Sequence, residues 1–176
     1  MHCGRAPADT VDVMTQFSRF GAALADYHRE LAAKTHPLLD SPRGRITRVR
    51  AGERHNHLVD RCECIVDRRM LPGETFEGVR DELAAILEGL KAEDPSLDYE
   101  IVYDRGNEPV VTEEDSPLIE ALRRNSRKVR RVDPTLVGLA TGTDMRNFVF
   151  DAGIPAVNFG PGSFFDSNCH APNEFV

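Results

Sequence analysis

Histidine is the residue type in this chain best able to bind a metal or transfer a proton, and six histidines are present. Four of them do not fit a helical metal site, in which a second ligand follows three or four positions later on the same helix, and we interpret most of these as surface residues. These four are His28, His36, His55 and His57. His170 differs, because it follows the polar loop 165–169 soon after a glycine-rich turn. Taken alone, it is interpreted as a loop histidine.

Two other patterns could contribute to a site in the C-terminal part of the chain. The turn from Gly160 to Gly162 could expose backbone N–H groups to an anion, or it could be a tight connection only. Asp144 and Arg146 lie two positions apart near a predicted helix start, where they could hold a substrate or form a local ion pair. Spacing alone does not choose between these interpretations.

Two helices are predicted in the N-terminal part of the chain. Apolar residues recur at helical spacing over residues 11–33, and Asp9 or Thr10 is the predicted N-cap. A second helix is predicted after Thr75, which is its expected cap, because apolar residues form one stripe from Phe76 to Leu90.

Three strands are predicted around these two helices, at residues 45–50, 58–70 and 98–103. The order helix, strand, strand, helix, strand needs one preceding strand to complete a ferredoxin-like split βαβ unit. The prediction is therefore an α+β lid, with two helices on one face of an antiparallel sheet and its first strand missing.

The pattern changes after residue 107, where helices alternate with short apolar strands. Ser116 and Pro117 predict the start of a third helix, and a fourth is expected near Thr143. Strands are predicted at 136–140 and 154–159. This order is typical of part of a parallel α/β sheet. We therefore predict a lid or dimerisation domain at 1–107 and an incomplete α/β catalytic segment at 108–176.

Composition and charge narrow the class of protein. Hydrophobic residues make up 40% of the chain and charged residues 29%, as in globular proteins. No apolar run is long enough to span a bilayer and no signal peptide is apparent, which predicts a cytoplasmic protein. Cys62 and Cys64 have the same-face spacing of a strand, which disfavours a bond between them and predicts reduced thiols.

A net charge of −7 argues against general binding to nucleic acid or to anionic membranes. The local exception is the basic run 123–131. It is interpreted as the solvated end of a helix, where cations suit the helix dipole, with a phosphate-binding patch as the alternative.

Four stretches in this order resemble the superfamily of acetylornithine deacetylase, succinyl-diaminopimelate desuccinylase, aminoacylase and carboxypeptidase G. Residues 2–7 (HCGRAP) with 11–14 (VDVM) are similar to the segment before the first lid helix. Residues 56–60 (NHLVD) are similar to an Asn-x-x-Pro-Asp turn, with Val59 in place of proline, and 67–73 (DRRMLPG) to an Asp-x-Arg-x-x-Pro-Gly strand end. The fourth stretch comprises 142–146 (GTDMR), 152–157 (AGIPAV), 160–162 (GPG) and 170–176 (HAPNEFV).

The resemblance implies a zinc-dependent, homodimeric amidohydrolase that cleaves the amide bond of N-acyl or N-carbamoyl amino acids or small peptides. It implies that His170 is a metal ligand and that His2 reaches the partner subunit's site to stabilise the oxyanion. Asn56 and Arg146 would contact substrate, and the pocket would be lined by Gly160 and Gly162. Asp67 and Arg69 are expected to form a buried structural pair.

One departure from the family pattern bears on function. The family binds two zinc ions through a His-x-Asp segment, a bridging aspartate and a paired-glutamate segment, and nothing in this sequence matches them. His170 alone cannot hold a two-metal site. The first hypothesis is therefore a fragment of a zinc amidohydrolase. The second is a non-catalytic dimerisation module from a truncated, split or degenerate gene.

Overall fold

A computed structural model describes residues 1–102, 106–160 and 172 of the chain. Two compact units are present. The first comprises Met1–Pro109 and Thr135–Gly142, and the second comprises Val110–Pro134 and Thr143–Val176. Among the helices that the described residues form, none is both long and apolar enough to cross a bilayer.

The first unit contains two helices and a two-stranded sheet. Helix α1 spans Val13–Leu31 and helix α2 spans Phe76–Glu93. Strands β1, Arg43–Ala51, and β2, Cys62–Arg69, pair antiparallel. Both predicted helices and the first two predicted strands are thus confirmed, and the α+β class is correct.

The core of this unit lies between α1 and the sheet. Leu24, Tyr27 and Leu31 follow one another at helical spacing and are buried. Four partly buried side chains from the sheet and α2 pack against them: Ile46, Val66, Leu83 and Ile86. Because both helices contribute to one core, they cover the same face of the sheet.

A β-bulge between Ile46 and Arg48 changes the side-chain alternation of β1. Arg45 opposite Asp67 and Arg48 opposite Ile65 both belong to the outer face, and the arginine side chains at both positions are exposed. Ile46 opposite Val66 belongs to the inner face. The bulge therefore lets both halves of the strand keep their charged residues on the side away from the core.

The N-cap of α1 corrects the sequence prediction. Asp12, not Asp9 or Thr10, accepts hydrogen bonds from the backbone N–H groups of Met14 and Thr15, at 3.0 and 3.3 Å. The hydrogen bond from the Thr15 hydroxyl, together with these backbone bonds, lowers the pKa of the Asp12 carboxyl. The apolar pattern begins before the helix does, because Val11 stands ahead of it with a partly exposed side chain.

The predicted third strand is not formed in its described part, residues 98–102. In a split βαβ arrangement the last strand pairs with the first strand. Ahead of α1, the described residues contribute a single isolated bridge, between His2 and His57. Among the described residues, this segment of strand-like composition therefore has no strand with which to form a ladder.

In the second unit, helix α3 spans Pro117–Arg130, and Ser116 caps it as predicted, accepting a hydrogen bond from the Ile119 N–H. The fourth helix is only a short π-helical turn, Asn147–Asp151. Residues 154–159 form no strand. Their backbone is instead held at Ala156 by two hydrogen bonds to the Thr112 hydroxyl. The Ala156 C=O accepts from this hydroxyl at 2.5 Å, and the Ala156 N–H donates to the hydroxyl oxygen at 3.2 Å.

The predicted strand 136–140 is also absent, although these residues belong to the first unit. One backbone hydrogen bond, from the Gly138 N–H to the Leu38 C=O at 3.0 Å, is made there. A parallel strand needs a continuous neighbour, and the described chain provides none beside this segment.

Candidate functional site

Two of the residues assigned to the site, His2 and Asn56, are brought together in the first unit. The N-terminal residues lie alongside the loop that joins β1 to β2. The Cys3 N–H donates to the Asn56 C=O at 2.9 Å, and the Leu58 N–H donates to the Met1 C=O at 2.8 Å. The position of His2 is therefore fixed by main-chain hydrogen bonds.

The His2 imidazole is held in one tautomer by its own segment. Its Nδ1 accepts a hydrogen bond from the Gly4 N–H at 3.1 Å, at the start of a short turn, Cys3–Arg5. An imidazole that accepts at Nδ1 carries its proton at Nε2 when it is neutral. Among the described residues nothing accepts this Nε2 proton, and the side chain is exposed.

His57 completes the cluster, although the sequence interpretation treated it as one of the histidines outside the site. Its Nδ1 lies 3.0 Å from Oδ1 of Asn56, and because an amide oxygen only accepts, the ring donates. The rings of His57 and His2 meet edge to face, with centroids 6.2 Å apart. The sequence signal for this role was the position of His57 directly after Asn56, inside a turn already assigned to the site.

The strand-end motif contains two ion pairs with different surroundings. Arg69 and Asp67 pair as predicted, with Nε and Oδ1 2.8 Å apart, but the pair is not buried, because the two side chains are 53% and 39% exposed. The buried arginine is Arg68, which belongs to the inner face together with Cys62, Cys64 and Val66. The alternation of β2 could have predicted this inward position.

Arg68 is the centre of a buried polar cluster between the helices and β2. Its Nε donates to the Tyr27 hydroxyl at 2.8 Å and its Nη2 lies 2.7 Å from Glu74 Oε1. The Tyr27 hydroxyl also donates to Glu82. Burial opposes the charge on Arg68, but the bonds to Glu74 and Tyr27 leave its pKa raised. This cluster stabilises the fold, and none of its members was assigned to the site.

Arg146, the third assigned residue that the structure describes, lies in the second unit. Its Nη1 contacts Asn147 Oδ1 at 3.1 Å and Asp151 Oδ2 at 3.3 Å. Its ion-pair partner is therefore Asp151 and not Asp144, the partner considered from the sequence. Nε of Arg146 is buried and has no hydrogen-bond partner among the described residues.

The remaining assigned residues lie at the C-terminal end. Gly160 is exposed, and no described atom comes within 4 Å of the position that a Cβ would take there. Gly162 and His170 fall outside the described residues.

The basic run 123–131 forms the end of α3, as the first of its two interpretations expected. Two of its arginines are engaged in ion pairs, Arg123 with Glu114 at 2.8 Å and Arg127 with Asp133 at 2.7 Å. These pairs reduce the charge that the run could offer to a phosphate.

Comparison with known proteins identifies the first unit. Residues 1–95 match the family model of the M20 peptidase dimerisation domain. The match covers more than half of the chain. The chain belongs to the M20 peptidase family. The matched segment lies within the first unit and contains His2, Asn56 and the Arg68 cluster.

Two individual relatives are also similar to the chain. The chain is 30% identical over 129 residues to an uncharacterised protein, YgeY, of Escherichia coli K12. The same values relate it to YgeY of E. coli O157:H7. These alignments cover 66% of the chain and 31% of the relative, so the chain spans about a third of the length of these relatives.

A solved structure shows the fold in another M20 protein. The metallo-carboxypeptidase Sso-CP2 from Sulfolobus solfataricus matches with a TM-score of 0.68 at 15% identity. The match covers 88% of this chain and 52% of that protein. At this identity the likeness concerns the fold alone.

A metal centre needs several donor side chains close to one another. No group of three or more histidine, cysteine, aspartate or glutamate side chains in residues 1–102, 106–160 and 172 could hold an ion. A zinc site requires three or four such ligands. The described residues therefore do not form the predicted zinc site by themselves.

Proposed function

We propose that this M20 chain is the dimerisation part of a metal-dependent amidohydrolase that acts on N-acyl or N-carbamoyl amino acids or small peptides. In the dimer, His2 of one subunit donates a hydrogen bond to the oxyanion that forms in the partner subunit's site. The observation that carries the proposal is the bond from the Gly4 N–H to Nδ1 of His2, because it places the histidine proton on Nε2.

Attack on an amide carbonyl places negative charge on its oxygen, and hydrogen-bond donors directed at that oxygen stabilise the transition state. A neutral imidazole serves in this way only through the nitrogen that carries the proton. His2 has such a nitrogen at an exposed position, and main-chain bonds on both sides of the residue hold it there.

The family resemblance implies substrate contacts for Asn56 and Arg146. Asn56 has its Oδ1 engaged by His57, which leaves its amide N–H groups for a substrate oxygen. The guanidinium of Arg146 suits a substrate carboxylate. Gly160 and Gly162 would line the pocket and His170 would bind a metal, as the family resemblance implies.

Self-association is supported by the form of the sheet. β1 and β2 pair with each other, so each leaves one edge unpaired among the described residues. Unpaired edges present backbone donors and acceptors that a second copy can use. The three described cysteines are free thiols, which suits a reducing compartment such as the cytoplasm.

The experiment combines self-association, metal content and hydrolysis. The purified chain is examined by sedimentation and assayed with and without zinc on a panel of N-acyl and N-carbamoyl amino acids. We expect a dimer. The described residues form no metal site, so turnover by this chain requires metal ligands outside them. His2→Ala should lower kcat about 100- to 1000-fold with little change in KM, the usual effect of losing one oxyanion donor. His55→Ala removes an exposed histidine of the β1–β2 loop and should leave turnover unchanged.

Mixing two inactive variants tests whether His2 acts across the dimer. After subunit exchange between His2→Ala and Arg146→Ala chains, half of the dimers are mixed, and each mixed dimer has one intact site. Turnover should recover to about a quarter of the wild-type value. No recovery in demonstrably mixed dimers would show that His2 acts within its own subunit.

A second candidate function is a dimerisation module without catalysis. The observation in its favour is the absence of a metal-binding group of side chains from the described part of the chain. Under this alternative the chain forms a dimer but neither binds zinc stoichiometrically nor hydrolyses any member of the panel.

A further inference from the structure

His57 contacts both site residues of the first unit. Its backbone forms the isolated antiparallel bridge with His2, and its ring meets the His2 ring edge to face. Its Nδ1 donates to Oδ1 of Asn56 at 3.0 Å. We propose that His57 is a positioning residue, which fixes the side-chain amide of Asn56 and the imidazole of His2 in the orientations that the reaction uses. The proposal rests on the function proposed above.

For Asn56, the hydrogen bond decides which end of the amide is available. A side-chain amide can present either an accepting oxygen or a donating nitrogen, and the two orientations differ by a half-turn. While His57 occupies Oδ1, the nitrogen faces the other way. His57 thereby makes Asn56 a hydrogen-bond donor, which is the character required beside a carbonyl oxygen that gains negative charge.

For His2, two contacts restrict rotation of the ring. The Gly4 N–H holds Nδ1, and the edge of the His57 ring lies against the imidazole. Removal of either contact gives the exposed ring additional rotamers, and the donor at Nε2 is then correctly placed for a smaller fraction of the time.

Two imidazoles in contact could instead hold a metal ion, but the hydrogen bonds argue otherwise. A histidine that binds a metal through Nε2 usually donates from Nδ1. Nδ1 of His2 accepts a backbone N–H, so Nε2 of His2 carries a proton and has no lone pair for a metal. His57 does donate from Nδ1, but a single histidine does not make a metal site, which needs three or four ligands. The pair is therefore better suited to orient the donor at Nε2 of His2.

The test uses NMR of the whole 176-residue chain, with ¹⁵N in the histidine and asparagine side chains. In the wild type we expect His2 in the Nε2–H tautomer and a well-ordered amide at Asn56. His57→Ala should disorder the Asn56 amide and broaden the His2 ring signals, because the His2 ring gains rotamers. His57→Gln, which can again donate to Oδ1, should restore order at Asn56 but not at His2. His55→Ala, a variant of the same loop, should change neither.

Hydrolysis gives an independent measurement. His57→Ala should lower kcat about five- to tenfold with KM nearly unchanged, as expected for the loss of one ordinary hydrogen bond. His57→Gln should recover part of that loss. A purely structural role would instead lower the thermal midpoint in step with kcat.

The two proposals fail in different ways. If His57→Ala leaves both side-chain signals unchanged, the positioning role of His57 is wrong, whatever the hydrolysis assay gives. If those signals change as expected while His2→Ala retains full turnover, the positioning role stands and the oxyanion role of His2 is wrong.

Discussion

The guanidinium of Arg68 and the carboxylate of Glu74 lie 2.7 Å apart, and the arginine side chain is only 4% exposed. The next residue, Arg69, makes an ion pair of similar length with Asp67, yet its side chain is 53% exposed. Adjacent arginines thus form one buried and one solvated pair. Their contributions to stability should therefore differ widely.

Replacing Arg68 with Met should lower the free energy of unfolding by about 2 to 3 kcal/mol, because Glu74 loses a charged hydrogen-bond partner. Lys34 and the Leu71 N–H still bond to the carboxylate and limit the loss. Arg69→Met should change it by about 1 kcal/mol or less, as is usual for exposed pairs. Urea denaturation of both variants measures the difference. Equal losses would mean that the buried pair contributes no more than the exposed one.

Glu74 should make the domain sensitive to acid. Burial acts to raise the pKa of its carboxyl, but bonds from Arg68, Lys34 and the Leu71 N–H leave it below the ordinary 4.5. A lowered pKa contributes stability that is present above pH 4.5 and is lost as the pH falls through the folded value.

Glu74→Gln should therefore be less stable than the wild type at pH 7 and should lose less stability between pH 5 and pH 3. Glu63→Gln, which removes an exposed pair with Arg61, is the matched control. Denaturation midpoints across this range test the prediction. Parallel wild-type and Glu74→Gln curves would contradict it.

Tyr27 should make the domain sensitive to alkali. Burial, with a contribution from Glu82, raises the pKa of its hydroxyl from 10.0 to about 12. The neutral tyrosine therefore contributes stability that is complete below pH 10 and is lost as the pH rises through 12.

The size of the alkaline loss should be about 2 to 3 kcal/mol, since each pKa unit corresponds to about 1.4 kcal/mol. Tyr27→Phe should remove this part of the pH dependence. The part due to Lys34 should remain, because bonds to Glu74 raise the pKa of that ammonium. The free energy of unfolding, measured against pH above pH 9, tests this prediction. The same pH dependence in Tyr27→Phe as in the wild type would show that another group is responsible.

The N-cap of α1 offers a test between two neighbouring aspartates. Asp12→Ala removes the acceptor for the Met14 and Thr15 N–H groups and should lower the thermal midpoint by roughly 2 to 4 °C. Asp9→Ala should leave it unchanged. A larger effect at Asp9 would restore the sequence-based assignment of the cap.

Local sequence signals were sufficient for the existence of α1, α2 and α3, but not for the cap of α1 or for the fourth predicted helix. Thr75 and Ser116 cap their helices as predicted, because a hydroxyl before an apolar stripe acts only on the N–H groups that follow it. The predictions of three further strands were wrong because strand formation depends on residues outside the segment. Residues 98–102, 136–140 and 154–159 have strand-like composition, but a strand is defined by a neighbour that the composition of the segment does not specify.

The candidate site was partly predictable. The family resemblance singled out both His2 and Asn56. Their segments are distant in the chain, and the bridge between His2 and His57 joins them. The contribution of His57 required the side-chain geometry, since no spacing rule predicts which amide oxygen a histidine will reach. Arg68 was passed over because the motif drew attention to Asp67 and Arg69.

The His2 segment is attached through main-chain atoms at Met1 and Cys3, so evolution can alter those two side chains without moving the imidazole. Every residue has a carbonyl for the first attachment, and every residue except proline has an N–H for the second. Substitutions of Cys3 should therefore be tolerated, with the exception of Cys3→Pro, which removes the N–H that bonds to Asn56.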